Sequence, residues 1–241
     1  FTKSGTITAT NDSPTNDSAN DYGNYAVWDV LQPASRVGTG TYTNGNLSVA
    51  TGSSPDFAVA NLQIPTTGKW YFECELTANS ASTRNIGLCD ASGSPDGTSQ
   101  SRIIRGDNGQ KYSSAGGGWA SYGVSFTVGN HVGVAVDMDN GAVYFSKDGT
   151  YMDSGDPTSG SSKTGAAHTD LLTASIDTAW FLSVYLSSSA AWTANFGATT
   201  LNTAAPTGYS TLSTASLPTP SVINYEDEYY IQAGISHSNG S

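Results

Sequence analysis

Lys69-Trp70-Tyr71-Phe72-Glu73-Cys74-Glu75-Leu76-Thr77 is the stretch on which the reading of the fold turns. Large apolar groups alternate with polar ones, and a period of two marks a strand with one buried face. The alternation puts Trp70, Phe72, Cys74 and Leu76 on a core face and predicts that the opposite face, with Glu73 and Glu75, is wet. Further β-type runs follow at 84–89, 123–128, 131–138, 142–147, 180–186 and 192–196, separated by turn residues as in a sandwich or barrel. Asp139-Asn140-Gly141 predicts a hairpin whose Asn-Gly pair takes the positive φ angles of a type I′ turn. Lys147-Asp148-Gly149 is a second turn signal.

The rest of the composition agrees with an all-β chain. The 241 residues include 34 Ser, 29 Thr and 27 Gly, side chains that suit turns and pleated surfaces and argue against a helical bundle. Charged residues make up 12% of the chain, and the net charge is −11. That sign opposes contact with phosphates or anionic lipid, so nucleic acid and membrane insertion are not expected. No stretch approaches the roughly 20 apolar residues of a membrane span. Cys74 and Cys89 lack zinc spacing, and alternation turns them to different faces, which predicts free thiols.

Three segments are expected: a polar connection at 1–40 with an apolar island at 25–31, a β-sandwich at 41–200, and a Pro/Thr-rich linker at 201–241 that leads into a following module. A start at Phe1 and the polar end predict a piece of a longer polypeptide. Residues 154–165, rich in Ser and Gly, read as a long surface loop.

Several groups bear on function. Glu73 and Glu75 share a strand face, as paired carboxylates must for acid–base work, but a solvated face explains them. Asp137, Asp139 and Asn140 begin like a calcium loop and lack its later Glu, so a hairpin turn accounts for them and no metal is expected. Arg105-Gly106-Asp107 is an adhesion-type tripeptide in a turn context. His131, His168 and His237 sit in unrelated contexts and no Gly-x-Ser-x-Gly elbow occurs, so no catalytic residues are assigned. The glycines before Trp119 lack the Lys of a phosphate loop, and no cofactor is expected. The ligand-binding candidates are Arg102, Arg105, Tyr112, Trp119 and Tyr122, with Trp192 a weaker addition, because aromatic and guanidinium groups dominate binding hot spots.

Taken in order, Gly68-Lys69-Trp70-Tyr71-Phe72-Glu73, Asn85-Ile86-Gly87-Leu88-Cys89-Asp90, the paired run 133–149 and Asn195-Phe196-Gly197 resemble a SPRY domain over residues 41–200. The resemblance implies a bent, concanavalin-like antiparallel β-sandwich with irregular flanks. It also implies recognition of a protein or ligand through loops at one end, without catalysis. Asn11-Asp12-Ser13-Pro14, Thr43-Asn44-Gly45-Asn46-Leu47 and the 154–160 loop are similar to SPRY-like modules of tailed bacteriophage particles. That second resemblance implies a tail fibre, spike or capsid-attached fibre, exposed on the virion surface and, by analogy, trimeric. Its partners would be other virion proteins, copies of itself, or a host-surface glycan or protein. The alternatives are a cellular or secreted SPRY-type domain gripping a partner peptide and, third, a glycan-cleaving enzyme.

Overall fold

The computed structural model describes residues 23–31, 39–52, 56–79, 84–91, 101–113, 118–173, 179–187 and 189–218. In chain order its strands are β1 (Thr41–Thr43), β2 (Ser48–Ala50), β3 (Asp56–Val59), β4 (Lys69–Ala78), β5 (Arg84–Asp90), β6 (Ser101–Arg105) and β7 (Lys111–Ser113). They continue with β8 (Gly118–Ala120), β9 (His131–Asp137), β10 (Ala142–Lys147), β11 (Thr150–Tyr151), β12 (Trp180–Leu186) and β13 (Ala191–Asn195). Two antiparallel sheets result, one ordered β1-β2-β13-β4-β9-β10-β11 and the other β3-β12-β5-β6-β7-β8. The only helical pieces among the described residues are two short 3₁₀ turns, Met152–Ser154 and Gly160–Ser162.

The alternation in β4 buries the four residues it predicts. Trp70, Phe72, Cys74 and Leu76 join one core with Ile86 and Leu88 of β5, Val132, Val134 and Val136 of β9, and Trp180, Leu182, Val184 and Leu186 of β12. Inward positions of facing sheets interdigitate because each strand exposes alternate residues to the gap. Cys74 and Cys89 are buried free thiols on different sheets, and burial raises the Cys74 thiol well above its ordinary pKa.

The opposite face of β4 is wet only in part: Glu75 is half-exposed and Thr77 exposed, but Tyr71 and Glu73 are covered. Tyr71 packs with Ala135, Ala142, Tyr144 and Tyr209 in a second cluster, and Glu73 is buried. The cover comes from the chain after β13, which turns back along the sheet. Tyr71 N–H donates to the Ser210 carbonyl at 2.9 Å and Ser210 N–H to the Lys69 carbonyl at 2.9 Å. Tyr209 Oη reaches the Pro157 carbonyl at 2.9 Å, and Leu212 is fully buried in the main core. Residues 201–218 are therefore part of the sandwich and not a linker. Their Thr/Ala/Pro composition hides this, because a few buried groups and backbone hydrogen bonds hold them. The expected module start at 225–235 lies outside the described residues.

The apolar island near the amino terminus also reaches the core. Trp28 is fully buried, its indole N–H donates to the Leu47 carbonyl at 2.9 Å, and its ring meets Phe196 edge-on at 5.8 Å. Two turns depart from expectation. Ala142 pairs with Asp137, so the β9–β10 connection has four residues and not a two-residue type I′ turn; Gly141 alone takes a positive φ, and Asp137 caps Asn140 N–H at 3.0 Å. The two-residue turn with both φ angles positive is instead Asp148–Gly149. The expected strand at 123–128 is irregular, because Gly123 N–H and Phe126 N–H bond to the turn carbonyls of Gly109 and Gly106.

Candidate functional site

At the free end of the six-stranded sheet, β6, β7 and β8 place Arg105, Tyr112 and Trp119 on one outer face. Tyr112 lies directly opposite Trp119 in the register, and their ring centroids are 4.9 Å apart at 55°. The Arg105 guanidinium lies 4.9 Å from the Trp119 centroid, a cation–π distance. Asp107 holds that guanidinium with two parallel bonds, Nε to Oδ1 at 2.8 Å and Nη2 to Oδ2 at 2.7 Å. Trp119 thus contacts both a tyrosine ring and an anchored arginine, and all three side chains are half-exposed.

The turn below them is positioned from inside the sandwich. Arg84 donates Nη2 to the Gly106 carbonyl at 3.0 Å and Nε to the Phe126 carbonyl at 2.9 Å. A Cβ on Gly106 would stand 2.4 Å from the Phe126 ring and 2.6 Å from the Arg84 side chain, so only glycine lets the turn lie this close. The Arg105-Gly106-Asp107 tripeptide is folded on itself by its own ion pair. Of the three glycines before Trp119, Gly116 and Gly117 lie outside the described residues and Gly118 opens β8.

The other three candidates are corrected by their surroundings. Arg102 is fully buried, pairs with Asp170 through Nε–Oδ1 and Nη2–Oδ2 bonds of 2.9 Å, and lies 5.3 Å from the Trp180 centroid. It points inward because β6 alternates, which sends Arg102 to the face opposite Arg105. Trp192 is fully buried and packs at 5.8 Å against Phe126. Tyr122 hydrogen-bonds the Gly165 carbonyl at 3.0 Å and meets Phe145 edge-on, so it joins a loop to the core. Sequence reasoning named Asp107 only within the tripeptide and missed Arg84; the two orient the surviving cluster. The spacing of Asp107 two residues after Arg105 was the available signal.

The groups weighed for chemistry have structural partners. Glu73 accepts N–H bonds from Asn202 and, at 3.1 Å, Thr203. Asp137 pairs with Lys69 at 3.2 Å, and Asp139 caps Gly68 N–H at 2.7 Å. Among the described residues no group of three or more His, Cys, Asp or Glu side chains is placed to hold a metal ion.

His168, which the sequence offered only as one of three histidines in unrelated contexts, is a buried imidazole. Burial, then the nearby Arg102 and Lys111 charges, push its pKa down to about 3, against the opposing pull of Asp170 and a bond to the Ile103 backbone. Below the ordinary histidine pKa of about 6.5 the unfolded chain takes up a proton that the folded chain refuses. Stability from this group is therefore full above that pH and falls by about 1.4 kcal/mol per unit as the pH drops. Urea unfolding at a series of acidic pH values is expected to show a shallower decline in His168→Gln; parallel profiles would refute the assignment.

The described residues thus form a sandwich of two antiparallel sheets that carries an aromatic and guanidinium cluster on the β6–β8 end of one of them. The family model for the SPRY domain matches residues 69–198, and the chain belongs to that family. It is similar in fold to the crystal structure of the SPRY domain of human HERC1, at 15% identity and a TM-score of 0.52, over 69% of this chain and 96% of that one. No curated protein sequence matches the chain.

Proposed function

We propose that the chain is a non-enzymatic protein-binding module whose contact surface is the Arg105–Trp119–Tyr112 stack. The observation that carries this reading is that the one described cluster of aromatic and arginine side chains left half-exposed is also held in place, by Asp107 on one side and Tyr112 on the other. A pre-ordered aromatic loses little conformational freedom when a partner covers it. Among the described residues strand β8 ends the six-stranded sheet, which gives an extended peptide a backbone edge to follow beside the Trp119 ring.

Panning a random-peptide display library on the 241-residue chain, followed by calorimetry on the selected peptides, tests this reading. Trp119→Ala is expected to weaken their binding by about 2 kcal/mol or more with little change in melting temperature. Selected peptides that bind Trp119→Ala as tightly as the wild type would place the contact elsewhere.

A second reading sets the module in a tailed-phage particle, with other virion proteins, further copies of this chain or a host-surface glycan or protein as partners. The Ser/Thr/Gly-rich, weakly charged composition and the resemblance of residues 43–47 and 154–160 support it. Modules flanking this one in its parent sequence test that setting: a fibre repeat or virion-anchoring domain would support it, and a cellular signalling module would overturn it.

A further inference from the structure

On the outer face of the seven-stranded sheet, away from the Trp119 stack, lies a cavity of about 580 Å³, larger than the other two described clefts of about 440 and 310 Å³. Its floor is a row of side chains in direct register across three strands: Thr193 of β13 is opposite Glu75 of β4, and Glu75 is opposite His131 of β9. Walls are supplied by the β1–β2 turn at Asn44 and Leu47, by Val27, and by the returning chain at Thr200 and Asn202.

The groups on this floor differ in what they have left to offer. Glu73 is occupied by the backbone N–H groups of Asn202 and Thr203. The Thr193 hydroxyl is bonded to Ser48 at 2.9 Å. The Glu75 carboxylate has no hydrogen-bond or ion-pair partner among the described residues, and no described lysine or arginine lines the cavity. Two carboxylates in a walled recess, one already tied to the protein and one open, form a negative well in a chain of net charge −11. Low-dielectric walls concentrate such a field, and a carboxylate with free lone pairs is matched by a multiply donating cation.

We propose that this cavity receives a basic side chain, an arginine guanidinium or lysine ammonium, from a partner protein, with Glu75 as its counter-ion. The apolar stem of such a side chain rests on Val27, Leu47 and Ala198 while its head reaches the floor. The site is separate from the Trp119 stack, so the chain presents two faces to its partners: an aromatic one at the sheet edge and an anionic socket on the other sheet.

The test is a nuclear magnetic resonance titration of the isotope-labelled 241-residue chain with N-acetyl-arginine amide and N-acetyl-lysine amide, and with methyl glucopyranoside as a neutral polyol. At least one cationic probe is expected to give saturable shifts at the amides of Glu75, His131 and Asn202, weakened by added salt. Glu75→Gln is expected to reduce its affinity about tenfold or more. Thr193→Lys, which places an ammonium beside Glu75 within the cavity, is expected to abolish binding, with thermal unfolding of both variants checking that they remain folded. Trp119→Ala should leave these shifts unchanged, which separates this site from the peptide-binding surface. The proposal is overturned if neither cation gives saturable shifts, if Glu75→Gln binds like the wild type, or if the glucoside alone moves the same amides.

Discussion

Trp28→Ala is expected to destabilise the chain by about 3–5 kcal/mol, the range for truncating a fully buried large aromatic side chain. The indole sits at zero exposure between the two sheets, edge-on to Phe196, and its N–H is bonded to the Leu47 carbonyl. The backbone around it is also tied in: Trp28 N–H donates to the Asn46 carbonyl at 2.9 Å and Asp29 N–H to the Val59 carbonyl at 2.8 Å. Truncation therefore opens a cavity, breaks a hydrogen bond, and loosens the segment that closes the edge of β3. Urea denaturation of the variant measures the loss, and a change below about 1 kcal/mol would mean that the segment is only laid on the surface. Deleting residues 1–40 removes the same side chain, so a sandwich limited to the expected span 41–200 faces a cost at least as large.

Asp170→Ala is the second large effect, again about 3–5 kcal/mol, because it leaves a guanidinium buried without its counter-ion. Arg102 has zero side-chain exposure, whereas that of Asp170 is 34%, so the two partners are not equivalent. Without Asp170, the Arg102 charge retains the Ser101 carbonyl at 2.9 Å and the face of Trp180, far less than the carboxylate supplied. Arg102→Met removes the buried charge and leaves a carboxylate that water can reach, so it should cost less. Finding Arg102→Met the more damaging variant would show that the pair acts through packing and not charge. The pair also contributes to acid sensitivity. Burial alone raises the Asp170 carboxyl, but the Arg102 bonds and charge outweigh it and hold the pKa below the usual carboxylate range. Its stabilisation is present above the unfolded carboxylate pKa and is lost as the pH falls through the lower folded value, the same direction as for His168.

The division between what sequence and structure each decided follows the range of the interactions concerned. Alternation along β4 assigned Trp70, Phe72, Cys74 and Leu76 to the core because a strand's two faces are fixed by its own backbone pleat. Composition excluded a helical bundle for a similarly local reason, and the ordered motifs of β4, β5, β9 and β10 carried the family. The same period contained the separation of Arg102 from Arg105, since alternate residues of one strand face opposite ways, but grouping the two by residue type concealed it. Which face of a strand is covered depends on chain that is distant in sequence. Glu73 looks like a solvated carboxylate until residues 202 and 203, more than a hundred positions later, bring their N–H groups to it. Trp192 and Tyr122 are aromatic residues whose types are equally suited to a core and to a binding surface, and only the packing of the two sheets put Trp192 inside the core and Tyr122 against it. Trp119 and Glu75 were left at the surface by the same packing, one at an open sheet edge and the other on the floor of a cavity that does not exist until the chain after β13 turns back across the sheet.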